Sequence, residues 1–435
     1  MKWGKIMRLK KAVVYLTVLS LTALSFAGCK KRELPVDEVV DTEKDPFEEE
    51  EELVPEENAE LLIMTSCVDF ATEMASKFEE QYADYNVKIT IEDKGLGLID
   101  KLVVDGPAGN GADVIITAHD EFNEAMNAQL FYEFSPSLTK DLADVVNEVG
   151  MKSVTYDGGI YGVPVALETS CLFYNKDIVG DTPATTFEEI YNKSADFNDY
   201  DNNMFYFLNK LGDGYKLHPF FSAYGYKPFG ENGTDSDPGF DSDEFEKGLE
   251  VIASLKSIMN LSSTDLGSDN TLTALFKRGN LAYLISGPWD VNSFDQAGIN
   301  YGVTTLPTYD GNPMVAFAGV QNAHVSAYTK YPKAAQLFAA SFVTEDAAAV
   351  LYEKENKITT RKDISNVKGL SEDEKTACFV EQFSNSVPMP SAAEVTYYWA
   401  ITEQISKLVF DGEITPSEGR TKAIESWKTL TESNQ

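Results

Sequence analysis

The residues best equipped for metal or nucleophilic chemistry are few in this chain, and their spacing supports neither. Cys29, Cys67, Cys171 and Cys378 make no Cys-x-x-Cys pair, and His119, His218 and His324 are scattered along the sequence. Neither set has the spacing of a zinc site. The stretch from Asp196 to Asn203 is rich in Asp and Asn, but it lacks the glycine at the sixth position and the closing glutamate of a calcium loop. It reads as a solvated acidic loop, and no metal or cofactor is expected. After residue 32 the only arginines are Arg278, Arg361 and Arg420. Bidentate capture of phosphate or carboxylate usually falls to arginine, so a neutral ligand fits the chain better than an anionic one. No Gly-x-Gly-x-x-Gly or Walker-type loop supports nucleotide binding. The formal net charge of −34 disfavours nucleic acid through its long-range field, while leaving open what a cleft holds. Asp120 is the carboxylate with the most informative position. It stands just past the apolar run Asp113-Val114-Ile115-Ile116, and ligands of open α/β sheets bind beyond the carboxyl ends of strands. The same aspartate could instead cap the helix that follows.

The elements that must position such residues are legible in the hydrophobic pattern. Leu61 to Met64 is a short apolar run that reads as a buried strand, followed by Phe70, Met74, Phe78 and Tyr82 at helical spacing. Asn86 to Ile91 reads as a strand, Leu96 to Val104 as a helix and Asp113 to Ile116 as a strand. This alternation predicts a parallel α/β sheet. Helix Glu121 to Leu130 and a hairpin turn at Asp157-Gly158-Gly159 follow. Glu168 to Tyr174 reads as one strand at a crossover. Thr186 and Glu189 have capping-box spacing, and Asp241 with Glu244 can cap a helix carrying Phe245, Leu249, Ile252 and Leu255. Leu281 to Ser286 and Tyr301 to Leu306 read as strands, Val315 to Ala327 as a long extended run, and the remainder as largely helical. The hydrophobic fraction of 43% over 435 residues suffices for two domain cores.

The N-terminus is set apart. Lys2, Lys5, Arg8, Lys10 and Lys11 precede an apolar stretch from Ala12 to Ala27, then Gly28 and Cys29. This describes an export signal, and the small residues before the cysteine resemble the lipobox of bacterial lipoproteins. That resemblance implies cleavage before Cys29 and its lipidation, with two acyl chains sufficient for stable anchoring. Cleavage removes five basic and no acidic residues, leaving a still more negative chain. Residues 30–60, with the acidic run Glu48 to Glu52, read as an extended tether.

Beyond the tether the sequence resembles the extracellular solute-binding proteins of ABC sugar importers, most closely the maltose/maltodextrin-binding family. The motifs that carry the resemblance run from about Leu61 to Trp427. They are Gly111-Ala112-Asp113-Val114-Ile115 with Ala118-His119-Asp120, Tyr174-Asn175-Lys176-Asp177, Thr186-Phe187-Glu188-Glu189, Gly230-Glu231-Asn232-Gly233, Gly287-Pro288-Trp289, Tyr301-Gly302-Val303-Thr304, Leu306-Pro307-Thr308 and Tyr397-Tyr398-Trp399-Ala400. The resemblance implies an α/β, type II-like periplasmic-binding-protein fold: two lobes, a central cleft and three interlobe crossings, near Ala166 to Cys171, Ala318 to Asn322 and Thr360 to Asp363. The expected organisation is a signal peptide (1–28), an acidic tether (29–59), an N-terminal lobe (60–167 with 322–362) and a C-terminal lobe (172–317 with 363–435). The expected function is capture of an oligosaccharide, maltodextrin first, and its delivery to permease subunits by hinge closure. The protein would be a monomer on the extracellular face of the cell membrane, held through Cys29, with no nucleic-acid partner.

The resemblance also implies a ligand set. Asp120 and Glu168 match hydroxyl acceptors, and Tyr215, Trp289 and Tyr398 match aromatic platforms, with Trp399 beside the last. Asp69 is a further acceptor candidate, although the loop before it is shorter than in the family. Such a mixture suits a neutral sugar, whose C–H faces need flat rings and whose hydroxyls need charged or amide groups. Tyr397, Tyr398 and Trp399 cannot all face a core at helical spacing. Thr117 stands where the family has Trp, Glu121 where it has Arg, and Gly95 to Leu98 lacks an acidic pair, so another oligosaccharide or a polyol remains open. A glycosidase would need two carboxylates at a set separation, and Asp120 with Glu168 could be cast so, but the resembling family binds without cleaving. Whether Cys67, Cys171 and Cys378 pair is left open.

Overall fold

The computed structural model describes residues 53–95, 97–365, 367–370 and 372–432. The expected export signal, Cys29 and residues 30–52 of the expected tether lie outside the described residues, whereas residues 53–59 lie within them.

Two β-sheets organise the described chain. The first begins with β1 (Glu60–Thr65), β2 (Lys88–Asp93) and β3 (Val114–Ala118). β1 pairs parallel with both of the others, and the helices Val68–Gln81 and Leu98–Asp105 supply the crossovers. Ile63, Val114 and Ile116 pack into one core with Phe70, Phe78 and Phe338, whereas Met64 and Ile115 pack into another with Leu98, Leu102 and Phe122. Burial on both faces is why these strands read as unbroken apolar runs. The predicted hairpin is formed by β4 (Thr155–Tyr156) and β5 (Gly159–Ile160). Its loop residues Asp157 and Gly158 have φ of 47° and 85°, the left-handed pair that two-residue hairpins favour. β6 (Val163–Glu168) then enters the first sheet.

The second sheet contains β7 (Cys171–Asn175), β8 (Phe205–Leu208), β9 (Leu281–Ser286) and β10 (Tyr301–Thr304), in the order β10-β7-β9-β8. The stretch Glu168 to Tyr174, expected as one strand, is therefore two. It breaks at Thr169-Ser170 because β6 pairs in the first sheet and β7 in the second. An aromatic core that includes Phe173, Phe187, Phe207, Phe220, Phe245 and Tyr283 fills this half. Thr186 caps the helix Phe187–Phe197, its hydroxyl accepting from Glu189 N at 3.3 Å. Glu189 returns a bond to Thr185 N at 3.2 Å, one residue before the position a capping box uses. The helix Asp243–Leu255 is capped by Ser242, whose hydroxyl accepts from Phe245 N at 3.3 Å, and not by Asp241, which lies one residue too early.

A small hairpin, β11 (Thr308–Tyr309) with β12 (Asn312–Pro313), precedes β13 (Phe317–Val325). β13 inserts antiparallel between β6 and β3 in the first sheet. β14 (Ile358–Thr359) pairs with the other side of β6, and β15 (Val387–Pro388) with the start of β13. Between these last two strands the helix Glu374–Ser384 packs beside β7 and β10 of the second sheet. The closing helices Val395–Phe410 and Pro416–Glu432 pack against Asp243–Leu255. Three segments thus run between the sheets: after β6, before β13 and after β14. Cys67, Cys171 and Cys378 are free thiols.

Candidate functional site

β3 ends at Ala118, and a single 3-10 turn, His119–Glu121, follows it. Asp120 is held in that turn, its Oδ2 accepting from the indole nitrogen of Trp399 at 3.0 Å. The cap position of the helix Phe122–Asn127 is taken by Glu121, whose side chain makes no capping bond. Burial raises the pKa of Asp120, and the bond from Trp399 opposes that rise. Its neighbour Glu121 is pushed up to about 7 by burial, with Asp120, Glu124 and Asp100 adding to the effect. Two further bonds join the same turn region to the other side of the molecule. Asn123 Nδ2 donates to Ser391 O at 2.5 Å, and Thr396 Oγ1 donates to Glu124 Oε2 at 2.7 Å.

Trp399 is half-buried on the helix Val395–Phe410 and meets the ring of Phe317 edge-on at 6.0 Å. Tyr215 lies 5.8 Å from the same Phe317 ring and 6.2 Å from Trp289, and its hydroxyl donates to Phe317 O at 3.4 Å. Asp213 fixes Tyr215 at the start of the helix Gly214–Ser222 by accepting from Tyr215 N at 3.1 Å and Lys216 N at 3.2 Å. Trp289 occupies the 3-10 turn after β9. Its ring folds back over Gly287, where a Cβ would collide with it. Gly214 does the same for Trp399, since a Cβ there would come within 2.8 Å of that ring. Two glycines thus leave room for the two tryptophan faces.

Glu168 is the last residue of β6, and its Oε1 lies 2.6 Å from Lys357 Nζ. Gly319 stands opposite it in β13. A Cβ at Gly319 would lie 3.4 Å from Glu168 O and 3.5 Å from the Tyr215 hydroxyl. Both are ordinary van der Waals distances, so this position would accept a Cβ without displacing Tyr215. The arrangement brings Asp120, Glu168, Tyr215, Trp289 and Trp399 to the seam between the sheets, with Phe317 between the rings of Tyr215 and Trp399, and Trp289 against Tyr215.

Two of the expected ligand residues are placed differently. Asp69 is exposed in the first turn of the helix Val68–Gln81, beside Glu355, which accepts from Phe70 N at 3.1 Å. It touches neither Asp120 nor Glu168. Tyr398 is 1% exposed and stacks on Phe240 at 5.6 Å in the core of the second half. Helical geometry turns successive residues by about 100°, so when Trp399 faces Asp120, Tyr398 points inward. Phe317, Gln321 and Lys357 belong to the same region and were not anticipated. Phe317 and Gln321 lie in a long extended run that marks no single residue, and nothing in Asn356-Lys357-Ile358 resembles a motif.

Residues 73–377 match the family described as bacterial extracellular solute-binding proteins. The galactooligosaccharide-binding protein of Bacillus subtilis is 30% identical over 79% of this chain and 83% of its own length. The maltodextrin-binding protein MdxE of the same organism is 28% identical over 84% of this chain and 87% of its own length. Among solved structures, a cyclo/maltodextrin-binding protein in complex with maltotetraose has 28% identity and a TM-score of 0.71, covering 86% of this chain and 97% of its own. MalX from Streptococcus pneumoniae, in complex with maltopentaose, has 25% identity and a TM-score of 0.76, covering 86% and 100%. With two α/β halves, three connecting segments and aromatic and acidic side chains gathered at their seam, this chain belongs to the bacterial extracellular solute-binding protein family.

Proposed function

We propose that this protein captures a neutral oligosaccharide, a maltodextrin first, in the cleft between its two lobes and delivers it to the permease of an ABC importer. The observation that carries the proposal is the gathering of Asp120 and Glu168 with the faces of Tyr215, Trp289 and Trp399 at one seam. Carboxylates accept from sugar hydroxyls through charge-assisted bonds, and rings cover the apolar sugar faces. In this reading the N-terminal lobe comprises residues 60–167 with 322–362 and the C-terminal lobe residues 172–317 with 363–435. The three segments between them act as the hinge. The protein works as a monomer on the outer face of the cell membrane, tethered through a lipidated Cys29, and it releases the sugar uncleaved.

A second ligand class is supported by a specific observation. The Bacillus subtilis relative at 30% identity is named for galactooligosaccharides. Thr117 and Glu121 also leave the first-sheet side of the cleft without the Trp and Arg of the maltodextrin family. A thermal-shift screen of the chain from about residue 55 separates the two readings. Ligand at about a thousand times its dissociation constant adds about 4 kcal/mol, which raises Tm by several degrees in a domain of this size. A shift with maltotriose and longer maltodextrins supports the first reading, and a shift with galactooligosaccharides alone replaces it with the second. Absence of a shift with any oligosaccharide or polyol overturns the sugar reading. Chromatography of the same mixtures for shortened sugars tests the claim that nothing is cleaved.

A further inference from the structure

The three first-sheet strands next to the connecting segments, β6, β13 and β14, are tied together at one buried point. Lys357, immediately before β14, is only 4% exposed. Its Nζ lies 2.6 Å from Glu168 Oε1 at the end of β6 and 3.1 Å from Gln321 Oε1 in β13. Gln321 Oε1 also accepts from Cys67 Sγ at 3.3 Å. The strand register accounts for the meeting. Ile358 is opposite Leu167 and Gln321 opposite Ala166, so Lys357 falls next to Glu168 with Gln321 alongside. Burial alone disfavours the ammonium, but the bonded Glu168 carboxylate and the charge of Glu355 favour it, and the lysine pKa is raised above its ordinary value. The side chain therefore stays charged. Among the described residues Lys357 is the hydrogen-bond partner of the Glu168 carboxylate, and it engages Oε1 only.

We propose that Lys357 is a positioning residue for ligand capture: it fixes the rotation of the Glu168 carboxylate and presents Oε2 as an acceptor for a solute hydroxyl. Gln321 holds the ammonium from the neighbouring strand, so the acceptor is set by contributions from β6, β13 and the residue that precedes β14. A carboxylate fixed in advance loses less freedom when the ligand arrives, and the ammonium beside it offsets the water contacts that the half-buried side chain gives up. This inference rests on the reading of Glu168 as a ligand contact.

The test is a double-mutant cycle on affinity, with Tm measured for each ligand-free variant. Maltotetraose is titrated by calorimetry into wild type, K357M, K357R, E168Q and the K357M/E168Q pair. A galactooligosaccharide takes its place if the thermal screen selects that class. K357M and E168Q are each expected to weaken binding by about tenfold or more. The double variant should be no weaker than E168Q alone, because Lys357 has nothing to position once the carboxylate is gone. K357R, which keeps the charge and a donor, should recover most of the affinity. If K357M does not fold, the double variant lacks the unpaired half-buried carboxylate, and its comparison with E168Q decides the matter: equal affinities support the proposal and a further loss overturns it. K357M with a lowered Tm and wild-type affinity overturns it as well, reducing Lys357 to a structural ion pair. Wild-type protein that binds no oligosaccharide overturns the ligand reading and this inference together, whereas wild-type binding unaffected by K357M overturns this inference alone.

Discussion

At the scale of single residues, the aromatic side chains divide into those that present a face to the seam and those that fill a core. Trp289 and Trp399 are half-buried, each lying over a glycine, whereas Tyr398 is enclosed by Phe229 and Phe240. Trp289→Ala is therefore expected to weaken oligosaccharide binding by about 1–2 kcal/mol. Little stability should be lost, because the removed ring has solvent on one side. Tyr398→Ala should do the reverse, costing about 3–5 kcal/mol of stability through the cavity it leaves, with affinity retained in the fraction that remains folded. Calorimetric titration and urea unfolding of the two variants check this. A Tyr398→Ala protein of normal stability and no affinity would return that residue to the binding site. Sequence alone could state that the run Tyr397-Tyr398-Trp399 cannot face one way. Choosing between its members requires the phase of the helix, which is set by contacts with Phe240 and Asp120, far away in the chain.

At the scale of elements, short turns at strand ends position the site, and these were only partly readable. The first-sheet strands announced themselves as apolar runs because both faces are covered. The break at Thr169-Ser170 did not, because it depends on which distant strand each half pairs with. Lys357 had no local signature either, since its function comes from strand register. The Gly287-Pro288-Trp289 turn shows what a local motif can encode. Gly287 has φ −135° and ψ −172°, an extended conformation that alanine adopts without strain. Its lack of a side chain serves the Trp289 ring that covers it. Gly287→Ala should consequently spare the backbone and displace the ring. The expected result is a loss of affinity approaching that of Trp289→Ala, with a Tm change of no more than about two degrees. Unchanged affinity would mean that the ring position does not matter to the ligand.

At the scale of the whole molecule, the acid limit of stability is set by three buried imidazoles that the proposed function does not use. His218 stacks on Phe317 at 3.7 Å, and its two ring nitrogens have no hydrogen-bond partner among the described residues. His324 stacks on Phe131 at 4.2 Å, and His119 Nδ1 accepts from Val320 N at 3.1 Å. Burial lowers their pKa values from 6.5 to about 3 for His218 and to about 4 for His119 and His324. A depressed histidine pKa means that the unfolded chain takes up these protons first as pH falls. The contribution to stability is complete above about pH 6.5 and drains away towards pH 4, reaching on the order of 3 kcal/mol per histidine. Glu121 acts with the opposite sign. Its pKa, raised to about 7, gives a contribution that is whole below its ordinary value and is lost as pH rises through 7. Three histidines outweigh one glutamate, so stability should fall steeply on the acid side of pH 6, with Glu121 offsetting part of the fall, and level off above about pH 7, and His218→Leu should flatten the acid limb. Urea unfolding at pH 7, 6, 5 and 4.5 reads this directly. A level profile between pH 6.5 and 4.5 would show that these histidines are protonated, and so hydrated, in the folded state, which would place water inside both lobes rather than the dry packing that the ring stacking describes.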